Sequence, residues 1–172
     1  MLYFIGIKLP KDLEEKVYEL KDLAGVGKLT TAPPHITLIP SFKIKDESLF
    51  QEIGKKLENL GSFEAEIKGI GYFKNRGKKN VVHLDVYDSE ELIEIRSLIF
   101  DLLKGEMGEE IFKKNSDFHI TISKKLSPHE LMIALEKLKD VEIKYSFSVN
   151  EVALFKIKDN KPWQEYKVFN LK

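Results

Sequence analysis

Cysteine is absent from this chain of 172 residues, and arginine occurs only as Arg76 and Arg96. Without cysteine there can be no disulfide, no zinc–thiolate or iron–sulfur site and no thiol nucleophile. No apolar run approaches the roughly 20 residues that a membrane-spanning helix requires. The opening stretch MLYFIGIKLPKD also lacks the layout of a signal peptide. We therefore expect a cytoplasmic protein without a membrane segment.

An excess of charge of either sign is also absent, because 28 basic residues balance 28 acidic ones. A polyanionic partner would then have to be bound by a local basic patch rather than by a basic surface as a whole. Hydrophobic residues make up 42% of the chain and charged residues 33%, which is typical of a globular protein. The length predicts a single domain spanning 1–172.

Two successive rounds of predicted elements have the same order: strand, helix, strand, helix, strand. In the first round the predicted strands are 2–7, 35–39 and 63–73, and the helices end at Gly25 and Gly61. In the second round the predicted strands are 81–86, 118–122, 144–156 and 167–171. The helices of the second round begin at two predicted capping boxes, Asp88 with Glu91 and Ser127 with Glu130. The first of these helices is expected to end at Gly105.

This repetition indicates an internal duplication of a β-α-β-α-β unit. The rounds match at three places, at offsets of 79, 84 and 82 positions: Ile7 with Val86, His35 with His119, and Phe73 with Phe155. We therefore predict an α+β fold of two lobes related by a pseudo-twofold axis. Each lobe would be an antiparallel sheet with two helices on its outer face, and a cleft would lie between the lobes. The lobes are expected at about 1–73 and 81–172, joined by the basic loop 74–80.

The frame His-x-Thr occurs twice, as PHITLIP in the first half and as FHITIS in the second. Residues two apart on a strand share one face, so His35 and Thr37 point away from the isoleucine and leucine beside them. His119 and Thr121 repeat this arrangement. Because the apolar neighbours can anchor in the core of each lobe, we expect both imidazoles and both hydroxyls to face the cleft.

Two histidines in one cleft fit an in-line displacement at phosphorus, which needs a base for the attacking oxygen and an acid for the leaving oxygen. An imidazole with a pKa of about 6.5 can serve in either role near pH 7, and threonine hydroxyls can donate to non-bridging phosphate oxygens. A packing histidine is the usual interpretation of one such motif, but strand packing does not require His-x-Thr twice at matching places. No Gly-x-Ser-x-Gly elbow occurs, and two histidines without a third ligand make a poor zinc site. We expect neither a serine hydrolase nor a metal or other cofactor.

These motifs resemble those of the 2H phosphoesterases, in particular the LigT-like RNA 2′,3′-cyclic phosphodiesterases, also called 2′-5′ RNA ligases. PHITL and FHITI match the two motifs of that family, LYFIGIKLP resembles its opening strand, and GIGYFKNRGKKNVVHLDV resembles its central strand–loop–strand. The resemblance implies that His35 and His119 are the acid/base pair, with Thr37 and Thr121 holding the phosphate. It also implies hydrolysis of a ribose 2′,3′-cyclic phosphate to the 2′-phosphate, or formation of a 2′-5′ linkage when an RNA 5′-hydroxyl replaces water.

Two stretches depart from the family pattern. Members often continue the first motif with Phe-Leu-Gly, where this chain has Ile-Pro-Ser-Phe at 39–42, and arginine is common after the second motif, where Lys124 stands. Lysine keeps the positive charge but lacks the bidentate fork of arginine. The position of Lys124 beside the predicted cleft makes it a candidate for substrate binding.

Other candidates for substrate binding are Phe4 and His83, which lie on matching strands under the offset of 79. Aromatic faces stack on the bases of single-stranded RNA, while ordinary packing is an equally good interpretation. The basic loop carries Lys74, Arg76, Lys78 and Lys79. This loop would either contact RNA phosphates or simply be solvated, and both interpretations stay open. Arg76 is the candidate in this loop for binding RNA phosphates. Trp163 and Tyr166 would either cover the cleft or simply pack, and packing is the favoured interpretation. His129 is expected to be exposed.

The predicted partners are the 2′,3′-cyclic phosphate ends of RNA, or cyclic nucleotides, bound by a monomer without metal. Two alternatives stay open. One is a phosphodiesterase for small nucleotides such as ADP-ribose cyclic phosphate or 2′-5′ oligoadenylate, and the other is a non-catalytic module that binds RNA ends. Turnover in EDTA separates the enzymes from the binding module.

Overall fold

The computed structural model describes residues 1–77, 79–107, 117–158 and 162–172. The elements are β1 (Leu2–Lys8), α1 (Lys11–Ala24), β2 (His35–Phe42), α2 (Leu49–Leu57), β3 (Phe63–Phe73), β4 (Asn80–Val86), α3 (Glu90–Met107), β5 (His119–Leu126), α4 (Pro128–Leu138), β6 (Tyr145–Val149), β7 (Glu151–Ile157) and β8 (Gln164–Asn170). Both rounds therefore have the predicted order. Lys78 of the basic loop lies outside the described residues. Across the described ranges, every helix is too short or too polar to span a bilayer.

Local sequence signals account for the ends of α1 and α4. Gly25 ends α1 in the left-handed conformation with φ 69°, and its N–H donates to the Lys21 carbonyl. The predicted capping box starts α4, since the Glu130 N–H donates to Ser127 Oγ at 3.2 Å and the Ser127 N–H donates to Glu130 Oε2 at 2.7 Å.

The start of α3 differs from the prediction, because Ser89 caps this helix rather than Asp88. The Leu92 N–H donates to Ser89 Oγ at 3.2 Å. Asp88 instead accepts from the Phe118 N–H at 3.3 Å and so ties the start of α3 to the segment before β5. The helix also continues past Gly105. A glycine inside a helix costs only about 1 kcal/mol, which the packing of a long helix offsets.

The eight strands of the described chain form one sheet in the order β6-β3-β4-β5-β2-β1-β7-β8. At its centre the two motif strands, β2 and β5, pair antiparallel at Ile36 and Ile120. β1, β7 and β8 follow on one side of this pair, and β4, β3 and β6 follow on the other. The predicted α+β duplication with antiparallel strands in both lobes is confirmed.

The two lobes are not contiguous halves of the chain. β3 comes from the first round but pairs with β4 and β6, whereas β7 comes from the second round but pairs with β1. The division between lobes in the sheet therefore does not coincide with the loop 74–80. Periodicity identifies a strand but not its partner, so the sequence pattern cannot reveal this exchange.

The connection between β6 and β7 determines the overall curvature of the sheet. One residue, Asn150, joins these strands, although five other strands lie between them in the sheet order. A single residue spans only about 3.5 Å. The sheet must therefore curl until the end of β6 meets the start of β7.

One face of the sheet is covered by the helices and forms the core. There α1 packs against α4 and α2 against α3, and the motif-strand residues Ile36, Leu38, Ile120 and Ile122 are at most 1% exposed. Burial of each such side chain contributes about 1.5–3 kcal/mol. Because side chains alternate along a strand, this burial fixes the motif histidines and threonines on the opposite, open face.

Candidate active site

The two motif strands share a local distortion that shapes the open face. Each has eight residues with the same sequence of buried and half-buried positions. Each also contains a one-residue β-bulge after the His-x-Thr frame, at Leu38 in β2 and at Ile122 in β5. A bulge inserts an extra residue and so reverses the alternation of the side chains that follow. Pro40 and Lys124 therefore lie on the open face with the histidines.

Both motif histidines are oriented by a backbone carbonyl two residues earlier. His35 Nδ1 lies 2.7 Å from the Pro33 carbonyl oxygen, and His119 Nδ1 lies 3.0 Å from the Asp117 carbonyl oxygen. A carbonyl oxygen can only accept, so Nδ1 carries the proton in each ring. In the neutral imidazole, Nε2 is then the nitrogen that can accept a proton from a substrate.

A cavity of about 270 Å³ on the open face, here called the central cavity, contains both motif histidines in its wall. The lining residues are Phe4, Thr30, Thr31, Ala32, His35, Thr37, Pro40, Ser41, His119, Lys124 and Trp163. Five of the eight residues predicted for the site are thus brought together. Thr121 is not part of this lining and lies opposite His83 of β4. Among the described residues, no group of three or more histidines and carboxylates is placed to hold a metal ion.

The environment of His35 favours its neutral form. Burial lowers the pKa of His35, and the nearby His119 and Lys124 lower it further, against the opposing effect of the hydrogen bond to Pro33. Burial also lowers the pKa of Lys124, as does the charge of Lys125. Both side chains line the central cavity, and burial disfavours the charged form of each.

Aromatic rings fix the position of His35. Phe4 lies 4.6 Å from the His35 ring and stacks on Phe155 at 4.5 Å with an interplanar angle of 7°. Trp163 meets Phe4 edge-on at 4.7 Å. Trp163 therefore packs, as favoured from the sequence, and it also lines the central cavity, which was the other interpretation.

His119 has a different support, built from Phe73 and His83. The Phe73 ring lies 4.2 Å from His83 and 4.9 Å from His119, and His83 lies 5.1 Å from His119. His83 Nδ1 is 3.2 Å from Asp85 Oδ1, without the geometry of a hydrogen bond. Burial lowers the pKa of His83, the neighbouring His119 lowers it further, and Asp85 opposes both.

The prediction that His83 contacts a nucleobase is not supported by its position. His83 is only 2% exposed and does not line the central cavity, so its ring offers no surface for stacking. The offset of 79 that matched it to Phe4 is also wrong. Thr37 lies opposite Gly6, and Thr121 lies opposite His83. His83 therefore corresponds to Gly6, at an offset of 77.

The loop between α1 and β2 is clamped onto the end of β5. The Lys28 N–H donates to the Lys124 carbonyl at 2.9 Å, and the Lys124 N–H donates to the Lys28 carbonyl at 2.8 Å. Buried Ser123 donates from Oγ to the Val26 carbonyl at 2.6 Å. Gly27 (φ 76°) approaches so closely that a Cβ there would overlap Ser123 Oγ. The same loop supplies the cavity residues at 30–32, which sequence analysis missed because an irregular loop has no periodicity.

Arg76 is exposed and does not line the central cavity. Asn75, beside Arg76, is nevertheless anchored by buried Asn80, whose Oδ1 accepts from the Asn75 N–H at 2.7 Å and whose Nδ2 donates to the Leu126 carbonyl at 2.9 Å. Asn80 and Leu126 also face each other in the β4–β5 pairing. Asn75 and Asn80 therefore lie beside the end of β5 that carries Lys125.

Comparisons with known proteins agree with this arrangement. A family model described as the 2′-5′ RNA ligase superfamily matches residues 9–161. An RNA 2′,3′-cyclic phosphodiesterase of Archaeoglobus fulgidus is 28% identical, over 93% of this chain and 91% of its own length. A putative phosphoesterase of Halalkalibacterium halodurans is 26% identical, over 88% of this chain and 91% of its own length.

Solved structures share the fold over almost the whole chain. E. coli LigT complexed with 3′-AMP superposes with a TM-score of 0.71 at 16% identity, covering 98% of this chain and 97% of LigT. A protein of Thermus thermophilus superposes with a TM-score of 0.72 at 20% identity, covering 99% of this chain and 98% of its own. The fold and the paired motifs define a 2H phosphoesterase. The chain belongs to the 2′-5′ RNA ligase superfamily, and the resemblance drawn from its motifs is confirmed.

Proposed function

We propose that this protein hydrolyses the 2′,3′-cyclic phosphate ends of RNA or nucleotides to 2′-phosphates, acting as a monomer without a metal ion. The observation that carries the proposal is that His35 and His119 line one cavity, each with Nδ1 bound to a carbonyl. Two such rings provide two Nε2 atoms for proton transfer at one phosphorus. This is the arrangement that in-line displacement requires.

In the proposed reaction, a water oxygen bonds to phosphorus while the bond from phosphorus to O3′ breaks. One histidine accepts the proton of the water, and the other donates a proton to O3′. Burial lowers the pKa of His35 and so favours the form that accepts a proton. The hydroxyls of Thr37 and Thr121 and the ammonium group of Lys124 are proposed to stabilise the charge on the non-bridging oxygens.

The substrate class is supported by the relatives. The Archaeoglobus fulgidus relative is an RNA 2′,3′-cyclic phosphodiesterase, and LigT has been solved with 3′-AMP. Phe4 is only 5% exposed and already stacks on Phe155, but it lines the central cavity. We propose that it borders the bound nucleoside without stacking on the base, and that Arg76 contacts phosphates further along an RNA chain. If an RNA 5′-hydroxyl takes the place of water, the same proton transfers form a 2′-5′ linkage without ATP.

The test is hydrolysis of cytidine 2′,3′-cyclic phosphate and of RNA ending in a cyclic phosphate, both in EDTA, with identification of the products. We expect the 2′-phosphate in each case, and we expect His35→Ala or His119→Ala to lower the rate by a factor of about 100 or more. His129→Ala is the matched control, because His129 is exposed on α4. Full activity in either motif variant would refute the acid/base roles.

The same assay, extended to ADP-ribose cyclic phosphate and 2′-5′ oligoadenylate, distinguishes the alternative functions. Turnover of ADP-ribose cyclic phosphate or 2′-5′ oligoadenylate, but not of RNA ends, would favour the small-nucleotide enzyme. Binding of RNA ends by the parent protein without turnover would favour the non-catalytic module.

A further inference from the structure

A second cavity, larger than the central one, lies beyond Pro33 and Trp163. Its volume is about 520 Å³, within the range of cavities that bind small molecules. Its walls come from β1, from the segment before β2, and from the β6–β7 junction that the curl of the sheet brings close to them. The proposed hydrolysis does not use this cavity.

Three contacts join the second cavity to the central cavity. Trp163 lines both of them. Phe155 lines the second cavity and stacks on Phe4, which lines the central one. Pro33 lines the second cavity, while its carbonyl holds Nδ1 of His35. The two cavities are therefore neighbours, with Trp163 in the wall of both.

The charges of the second cavity select among possible occupants. Its lining includes Glu14, Glu151 and Glu165 against a single lysine, Lys8. Lys8 Nζ lies 2.8 Å from a carboxylate oxygen of both Glu151 and Glu165, so its charge is already matched. The remaining negative charge repels a phosphate group. It favours an uncharged ring with N–H donors, because carboxylates accept hydrogen bonds from the exocyclic amines of nucleobases.

We propose that the second cavity binds the nucleobase of the nucleotide on the 5′ side of the cyclic phosphate end, with a preference for bases that carry an exocyclic amino group. A chain that ends in a 2′,3′-cyclic phosphate continues only on the 5′ side, so the neighbouring nucleotide is the one that can reach this cavity. The aromatic and proline side chains provide stacking surfaces, and the carboxylates accept hydrogen bonds from the exocyclic amino group. The inference rests on the proposed function, since it requires the cyclic phosphate to lie between His35 and His119.

The first test compares turnover of three substrates: cytidine 2′,3′-cyclic phosphate, and the dinucleotides ApC and UpC that end in the same cyclic phosphate. Stacking of either base in the second cavity favours both dinucleotides over the mononucleotide, whereas only adenine has an exocyclic amine that can donate to a carboxylate. We therefore expect kcat/KM for ApC to exceed that for UpC about tenfold, the gain that one hydrogen bond to a charged group implies.

Ser148→Phe should abolish the preference for ApC, because Ser148 is an exposed lining residue whose replacement by phenylalanine fills the second cavity. Ser146→Phe is the matched control, since Ser146 lies two residues earlier on β6, is also exposed and does not line this cavity. Turnover of the mononucleotide by each variant reports on its folding. The inference is overturned if ApC has no advantage over UpC while the mononucleotide is hydrolysed, or if Ser148→Phe retains the advantage.

A second readout does not depend on turnover. Trp163 is the only tryptophan of the chain, so its fluorescence reports on occupation of either cavity that it borders, and Ser148→Phe distinguishes the second cavity from the central one. Adenosine should change this fluorescence at lower concentration than uridine does, in the parent and in Ser146→Phe but not in Ser148→Phe. If no cyclic phosphate is hydrolysed, the proposed function fails, and this titration still decides whether the second cavity binds a base. An adenosine response that is unchanged in Ser148→Phe would overturn the inference.

Discussion

Replacing Gly6 by alanine should displace His35 and destabilise the centre of the sheet. An ideal Cβ at this position would lie 2.7 Å from the Ile36 carbonyl oxygen and 3.3 Å from His35 Cδ2. The carbonyl belongs to the backbone of the paired strand and cannot rotate away as a side chain could. β1 and β2 must therefore separate locally. Overpacking of this kind costs about 1–3 kcal/mol, which lowers the midpoint of thermal unfolding by roughly 2–12 °C.

The effect on activity should exceed the effect on stability. A shift of about 1 Å in a catalytic group can cost a factor of about 100, so we expect kcat/KM for cytidine 2′,3′-cyclic phosphate to fall at least about tenfold in Gly6→Ala. Turnover should be measured well below the midpoint of thermal unfolding of either protein, at a temperature where circular dichroism shows that both are folded. Gly105→Ala is the control, since nothing lies within 4 Å of a Cβ there and alanine favours the helix. It should unfold at a slightly higher temperature, with normal turnover. A Gly6→Ala protein that melts and turns over like the parent would refute the argument.

Two further predictions concern charge. Lys124→Ala should lower kcat/KM at least about tenfold, because charge-assisted hydrogen bonds contribute about 1.5–3 kcal/mol. Lys124→Arg should keep most of the activity, and Lys125→Ala is the exposed control. Equal turnover of all three variants would contradict a contact between Lys124 and the phosphate. Burial lowers the pKa of both His35 and His83, so the folded protein binds protons at these rings less readily than the unfolded chain does. Their contribution to the free energy of unfolding is therefore complete above the unfolded-state pKa of about 6.5, and it is lost as pH falls toward the lowered folded-state values. The free energy of unfolding in urea should therefore decline between pH 7.5 and about pH 4.5, and the decline should be shallower in His83→Phe. The same dependence on pH in the variant and the parent would exclude His83 as a contributor.

The positions of the elements and of the motif residues follow from the sequence, but their mutual arrangement does not. Alternation along PHITLIP and FHITIS is sufficient to place His35 and His119 on one face, because it depends on local geometry. Alternation along the sequence does not predict the one-residue bulges, and it is the bulge in β5 that brings Lys124 to the open face. The match of Phe4 to His83 failed for the same reason, since register depends on the paired strand. For Trp163 the sequence left covering the cleft and packing as alternatives, and no pattern indicates that it borders two cavities.

The exchange of strands between the two rounds has a consequence for synthesis of the chain on the ribosome. The lobe that contains β3 and β4 is complete only when β6 has emerged, because β6 pairs with β3. The lobe that contains β1 and β2 is complete only when β7 and β8 have emerged, because β7 pairs with β1 and β8 pairs with β7. The growing polypeptide must hold β1 and β3 with one edge of each unpaired until late in translation. Unpaired edges of this kind are open to aggregation until β6 and β7 cover them.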